Sequence, residues 1–235
     1  MKVFVINLDK DKDRMASVDA QLRKLGVDYE RVSGVHAKEM PIEERNRAVN
    51  RFRWWCAIGR PIVPAEIGCA LSHYNIYRSM KNGEVFCILE DDVMLTDDFP
   101  IRLKEIESFV DVRKPQVIML SSHNRPQSGT GIVRSRSAMC TDAYVITQSA
   151  AKALIKANLP MQVPCDHWWR WESKGLIELY HALPISVEQD QDQFGTSTQQ
   201  NAVQVSSYPP FKWITHKIKR LLGKTFDLIL LRLEL

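Results

Sequence analysis

Residues Glu84 to Leu89 read as an apolar β-strand, and Glu90-Asp91-Asp92 follows it without a break. A strand this apolar belongs in a covered sheet, and α/β sheets present their ligand sites at the carboxyl ends of such strands. Adjacent anions repel one another and resist desolvation, so fold stability gives no reason to place three carboxylates there. A divalent cation removes that penalty. Hard oxygen donors suit Mg²⁺ or Mn²⁺, and carboxylates that leave coordination positions open suit a metal shared with a diphosphate. Alternation along an extended segment puts Glu90 and Asp92 on one side and Asp91 on the other. The competing reading is a solvated acidic turn in which Asp92 caps a helix.

The surrounding chain keeps the same rhythm. Val3 to Ile6 is a β-branched and aromatic run, Met15, Val18, Leu22 and Leu25 recur at helical spacing, and Gly26 closes that helix. Asp28 to Val32 supplies a second strand, giving a βαβ opening with Asn7 and Asp9 at the rim of the sheet. Residues 36–63 read as an irregular, partly helical excursion. Pro64-Ala65-Glu66 opens a helix with Ile67, Ala70, Leu71, Tyr74 and Tyr77 as its buried stripe, Ser72 and His73 off its centre, and Asn82-Gly83 at its end. Helix is expected again near Phe99 to Phe109, strands at Gln116 to Leu120 and Ala143 to Ile146, and a polar loop at 121–137. A helix from Gln148 to Asn158 stops before Pro160, Asp166 caps a short helix, and Leu176 to Leu183 is the last strand. Strands alternating with helices define the class as α/β with a mixed, largely parallel sheet. Residues 1–205 read as one domain, with a Gln-rich loop over Gln189 to Gln204, and 206–235 as a linker and basic tail after Pro209-Pro210.

At 235 residues, 45% apolar and 26% charged, the chain has globular composition, which excludes collagen-like, disordered and disulfide-scaffold classes. No window approaches the ~20 apolar residues of a spanning helix, and the opening run Val3 to Ile6 is too short for a signal peptide. The net charge of +4 resides in residues 211–235, which hold six cations and two anions, leaving 26 of each sign elsewhere. An electrically neutral body argues against a nucleic acid as partner. In the tail, Ile214, Ile218, Leu221 and Leu222 make an apolar face beside Lys212, Lys217, Lys219, Arg220 and Lys224, the profile of an amphipathic helix lying on an anionic membrane surface. The alternative is docking on the body or on a second chain. The five cysteines are odd in number and lack C-x-x-C spacing, so they are expected to be reduced, mostly buried thiols in a cytosolic protein, with no spacing that supports zinc.

Three further segments carry chemistry. In Ile6-Asn7-Leu8-Asp9 with Arg14, Asn7 can hydrogen-bond a base or ribose edge and Arg14 can reach a phosphate; the plain alternative is a polar turn. In Gly68-Cys69-Ala70-Leu71-Ser72-His73 the small residues permit close helix packing, and nothing near His73 completes a hydrolase triad. In Pro164-Cys165-Asp166-His167-Trp168-Trp169, with Trp171 beyond, three tryptophans exceed what one short helix can bury, and tryptophan faces stack on sugars. A carboxylate beside such a platform can take a proton from a hydroxyl.

Assembled in order, Val5-Ile6-Asn7-Leu8-Asp9 with Arg14, Glu66 to His73, Ile88 to Val93, Asp142 to Ile146 and Val163 to Asp166 resemble glycosyltransferase family 25, over about residues 1–170. The family includes bacterial lipopolysaccharide and lipooligosaccharide β-galactosyltransferases and collagen galactosyltransferases. The resemblance implies a GT-A-like fold, a UDP-hexose donor and inversion at the anomeric carbon. It casts Glu90-Asp91-Asp92 as the acidic metal motif, although the triplet is not a literal Asp-x-Asp. Glu90 and Asp92 are then expected to hold Mn²⁺ or Mg²⁺. Asn7, Asp9, Arg14, Ser72, His73 and Asp91 are expected to bind the nucleotide sugar, Trp168 and Trp169 the acceptor, and Asp166 to act as base ahead of Asp142, Asp190 and Asp192. A lipid-linked glycan acceptor would place the enzyme on the cytoplasmic face of the inner membrane, held by residues 211–235. Two rivals remain: a metal-dependent phosphohydrolase or nucleotidyltransferase, which would hydrolyse donor at full speed without acceptor, and a non-catalytic glycan-binding module, which would ignore UDP and metal.

Overall fold

Continuous apolar runs along the inner strands dictate a sheet covered on both faces. The computed structural model describes residues 1–121 and 129–189. The expected tail, the 205/206 boundary, most of the Gln-rich stretch, Asp190 and Asp192 lie outside the described residues. The chain opens with β1 (Lys2–Asn7), α1 (Lys12–Lys24) and β2 (Glu30–Ser33). The excursion contains α2 (Ile42–Arg47) and α3 (Arg51–Ile58), and α4 (Pro64–Ser79) leads into β3 (Val85–Glu90). Then follow β4 (Val93–Leu95), α5 (Phe99–Phe109), β5 (Gln116–Met119), β6 (Gly131–Arg134), β7 (Ala143–Thr147), α6 (Gln148–Asn158), α7 (Trp168–Ser173), β8 (Glu178–Leu183) and β9 (Val187–Gln189).

Seven strands form one sheet in the order β2-β1-β3-β7-β5-β8-β6, and β4 pairs with β9 in a two-stranded sheet. The β1/β2, β1/β3 and β5/β8 ladders are parallel, whereas β7 runs against β3 and β5, and β6 runs against β8. Five strands therefore point one way and two the other, the mixed, largely parallel sheet expected from the sequence. Phe4, Ile6, Phe86, Ile88, Tyr144 and Ile146 face the core shared with α4, α6 and α7. Val3, Val5, Cys87, Leu89, Ala143 and Val145 face the opposite core, with Val18 and Leu22 of α1 and Leu103 and Ile106 of α5. Burying both faces is the main stabilising contribution, at roughly 25 cal/mol per Å² of apolar surface.

Three short strands escape the sequence reading. The segment 121–137 contains β6, and β4 and β9 flank the acidic corner and its return. Helix α4 packs unusually close to the chain after β2. A Cβ on Gly68 would lie 2.3 Å from the Val35 carbonyl oxygen, so only glycine fits. One turn on, Ser72 Oγ accepts from the Val35 amide at 2.8 Å and donates to the Gly68 carbonyl at 2.7 Å, pinning helix to loop.

Candidate functional site

The sheet's alternation sorts the acidic triplet. Glu90 continues the Phe86, Ile88 face of β3 and meets α4, while the chain turns after it and both aspartates meet α1. The strand ends at Glu90, and a turn rather than an extended segment carries Asp91 and Asp92, so strand alternation does not set their sides; Glu90 still lies close enough for its charge to act on Asp92.

On the α4 side, Glu90 Oε1 accepts from Thr141 Oγ1 at 2.5 Å, lies 3.2 Å from His73 Nε2 and 3.9 Å from Cys69 Sγ. His73 Nδ1 lies 2.7 Å from the Tyr144 hydroxyl, which is 2.6 Å from that of Tyr77. Cys69 Sγ is also 3.7 Å from Cys165 Sγ. Burial works against charge on His73, but hydrogen bonds and charge from Cys69 and Glu90 prevail and raise it to about 9. Burial likewise opposes the Glu90 carboxylate, and His73 more than compensates, holding it below its ordinary range. The Cys165 hydrogen bond lowers the Cys69 thiol to about 6, and the same bond pushes Cys165 up. All five cysteines are free thiols, but only Cys87 is fully buried, fewer than expected.

On the α1 side, Asp91 Oδ2 accepts from Asn7 Nδ2 at 2.6 Å, and Asp91 Oδ1 lies 3.3 Å from Arg14 Nη1. Asp92 Oδ2 accepts from Gln189 Nε2 at 3.1 Å and faces the same Arg14 nitrogen at 3.5 Å. Asp92 Oδ1 is buried with no hydrogen-bond partner among the described residues. Burial, then the charge of Glu90, raises Asp92 to about 7, against the pull of Arg14. Burial also raises Asp91, with Asn7 and Arg14 opposing. An orphaned, buried, charge-crowded carboxylate oxygen is what a hard cation would relieve, so Asp92 fits the expected Mg²⁺ or Mn²⁺. Glu90 has the right charge, but its neighbours Cys69 and His73 are softer donors.

Glu90, Asp91, His73, Ser72 and Arg14 line a cavity of about 210 Å³ at the carboxyl ends of β1 and β3. Lys10 and Lys38 join Arg14 as cationic groups in its wall, with Asp11, Glu90 and Asp91 as the acidic ones. Sequence reasoning missed Lys10 and Lys38, and also Thr141 and Tyr144, which orient Glu90 and His73. The position of Lys10 directly after Asp9 was the available signal. The Asn7 amide is fully engaged: its Nδ2 also donates to the Asp11 carbonyl at 2.9 Å, and its Oδ1 accepts from Arg31 Nε at 3.0 Å. Asn7 thus holds Asp91 in place. Asp9 is exposed and pairs with Arg31 at 2.6 Å and Ser33 at 3.0 Å; the Arg31 hydrogen bond keeps its carboxyl low.

Asp166 does not cap α7 as expected: His167 holds the N-cap position, and the Asp166 carboxylate accepts instead from the Cys140 amide at 3.4 Å; burial raises it, against the charge of His167. Cys165 beside it contacts Cys69, so Asp166 belongs to the same corner. Asp142 is buried and accepts from Ser121 Oγ at 2.7 Å. The tryptophans divide: Trp168 is 0% exposed, packs 4.9 Å from Tyr144, and donates Nε1 to the Cys140 carbonyl. Trp171 is also buried. The expected two-ring platform reduces to Trp169, 40% exposed, because Trp168 is committed to the core.

The family model described as glycosyltransferase family 25 (LPS biosynthesis protein) matches residues 1–169. Among relatives, procollagen galactosyltransferase 1-B of Xenopus laevis is 28% identical over 206 residues, covering 79% of this chain and 32% of its own length. The procollagen lysyl hydroxylase and glycosyltransferase of Acanthamoeba polyphaga mimivirus is 28% identical over 199 residues, covering 71% of this chain and 21% of its own length. This chain therefore spans a third or less of those relatives. A solved glycosyltransferase involved in the glycosylation of the major capsid of PBCV-1 aligns over 88% of this chain and 98% of its own at 11% identity and a TM-score of 0.40, too loose to assign anything. The family match covers most of the chain and contains Asn7, Arg14, the α4 cluster, the acidic triplet and Asp166, and on that ground the chain belongs to glycosyltransferase family 25.

Proposed function

We propose that this chain transfers a hexose, galactose ahead of glucose, from a UDP-sugar to a hydroxyl of a lipopolysaccharide or lipooligosaccharide core glycan, with inversion. The observation that carries the reading is a single cavity whose wall holds Glu90 and Asp91 together with Lys10, Arg14 and Lys38. A diphosphate needs cationic wall groups, and a departing one needs its growing charge offset. The family's description as lipopolysaccharide biosynthesis proteins supports a lipopolysaccharide acceptor, and relatives that are galactosyltransferases support galactose.

Asp92 and Glu90 would hold Mn²⁺ or Mg²⁺, which when bound offsets charge on the leaving diphosphate. Arg14 faces both Asp91 and Asp92 and lines the cavity in which the phosphates would sit. Asn7 fixes Asp91 so that the cavity wall is formed before the donor arrives. Burial raises Asp166, which makes its carboxylate more basic than an exposed one and suits it to take the proton from the acceptor hydroxyl, and Trp169 offers a ring to the acceptor sugar. No described helix is long and apolar enough to cross a membrane. A peripheral position on the cytoplasmic face of the inner membrane, held by the basic segment 211–235, suits a lipid-linked acceptor.

A donor screen tests the reading: UDP-sugars offered with truncated lipooligosaccharide, with and without Mn²⁺. Asp166→Asn should lower turnover by roughly 10²- to 10⁴-fold while sparing UDP binding. Near-normal turnover in that variant removes Asp166 from the role.

A further inference from the structure

We infer that Cys69, His73 and Glu90 form a binding site for a borderline-soft divalent cation of the zinc class, which shares Glu90 with the hard-cation position proposed at Asp92. The sequence offers no Cys or His spacing of the usual kind, because the fold assembles the donors from one turn of α4 and the end of β3. Cys69 Sγ, a His73 ring nitrogen and a Glu90 carboxylate oxygen all lie within 4.8 Å of one another. Two edges of that triangle are 3.2 Å from His73 Nε2 to Glu90 Oε1 and 3.9 Å from Cys69 Sγ to Glu90 Oε1. Zinc–ligand lengths at tetrahedral angles put such donor atoms roughly 3.3–3.8 Å apart, so little movement is needed for one ion to serve all three.

The surroundings are those of a built site. The Tyr144 hydroxyl sits 2.7 Å from His73 Nδ1, which turns the imidazole so that Nε2 faces Glu90. Thr141 Oγ1 fixes Glu90 from the other side at 2.5 Å. Partners of this kind, one step behind the ligands, orient ligands and strengthen metal binding. All three donors line the cavity, which leaves a coordination position open toward it, and Cys165 Sγ stands 3.7 Å from Cys69 at the edge of the set. Thiolate and imidazole favour zinc over Mg²⁺ or Mn²⁺. Glu90 is common to this site and to the hard-cation position, so a bound zinc-class ion withdraws Glu90 from the donor's metal.

The test uses the full chain, reduced and stripped of metal, titrated with Co²⁺ and then with Zn²⁺. The expected result is a thiolate-to-cobalt charge-transfer band with tetrahedral absorption at one equivalent, bleached by one equivalent of Zn²⁺. Cys69→Ser should abolish the band and weaken Zn²⁺ binding by at least ~100-fold, and Cys56→Ser, remote from the cluster, should keep both. X-ray absorption at the zinc edge of the unaltered chain gives a second readout that does not depend on a variant folding: one sulfur with nitrogen and oxygen neighbours. An octahedral cobalt spectrum without charge transfer, a band unchanged in Cys69→Ser, or a zinc shell without sulfur overturns the site. None of these readouts involves UDP or sugar transfer, so the site stands or falls apart from the proposed activity.

Discussion

His73 and His181 are buried to the same depth, 1% and 2% exposed, yet they are driven in opposite directions. Burial lowers His181, on β8 in the far half of the sheet, to about 4. The same burial acts on His73, but Glu90 and Cys69 reverse it and take His73 to about 9. Depth alone therefore does not separate the site from the core. What separates them is a carboxylate and a thiol placed where the alternation of β3 and the turn of α4 meet, beside a cavity that His181 does not line. A charged network held this firmly inside a protein is costly unless it is used.

The largest way to break the contrast is Glu90→Gln. That change removes the anion opposite His73 and one candidate metal ligand, and transfer should fall by about 100-fold or more. Steady-state rates on a UDP-sugar, with circular dichroism confirming the fold, check this; a rate within about tenfold of the parent would make the two histidines equivalent in function.

His181 sharpens the contrast from the other side. Its folded pKa of about 4 lies below the ordinary 6.5, so the fold takes up a proton later than the unfolded chain does. As pH falls from 6.5 toward 4, stability is lost, at up to about 1.4 kcal/mol per unit and on the order of 3 kcal/mol across the window. Urea titrations over that range should show the loss, and His181→Gln should flatten it. The same slope in the variant would assign acid sensitivity elsewhere. The smallest effect belongs to Tyr144→Phe, which deletes the hydroxyl shared by His73 and Tyr77. It should cost about 1–2 kcal/mol in urea unfolding; no change would mean that the hydroxyl does not hold His73.

Much of the fold was legible because it rests on local periodicity. The β1–α1–β2 opening, α4, β3, α5, β7 and α6 each carry a full period of apolar residues. Strands β4 and β9 span three residues apiece and pair across some ninety positions, so neither has a readable pattern of its own. Strand β6 likewise draws its definition from β8. The acidic triplet was legible as charge in the wrong place. Its division between α4 and α1 was not, because a two-residue turn decides it. The Cys69–Cys165 contact, spanning 96 positions, exists only once α4 and the segment before α7 pack together. Trp168 was misjudged because its burial depends on Tyr144, which the sequence places 24 residues away.

The proposed activity rests on Asp92 and Glu90 holding a divalent cation that would offset the charge of a bound diphosphate. Calorimetric titration of the full chain with UDP, in Mn²⁺ and after chelation, tests it most directly, with Asp92→Ala run in parallel. Affinity should fall by about tenfold or more on chelation, and Asp92→Ala should bind UDP equally weakly with or without Mn²⁺. Equal affinity in all four titrations would contradict the account.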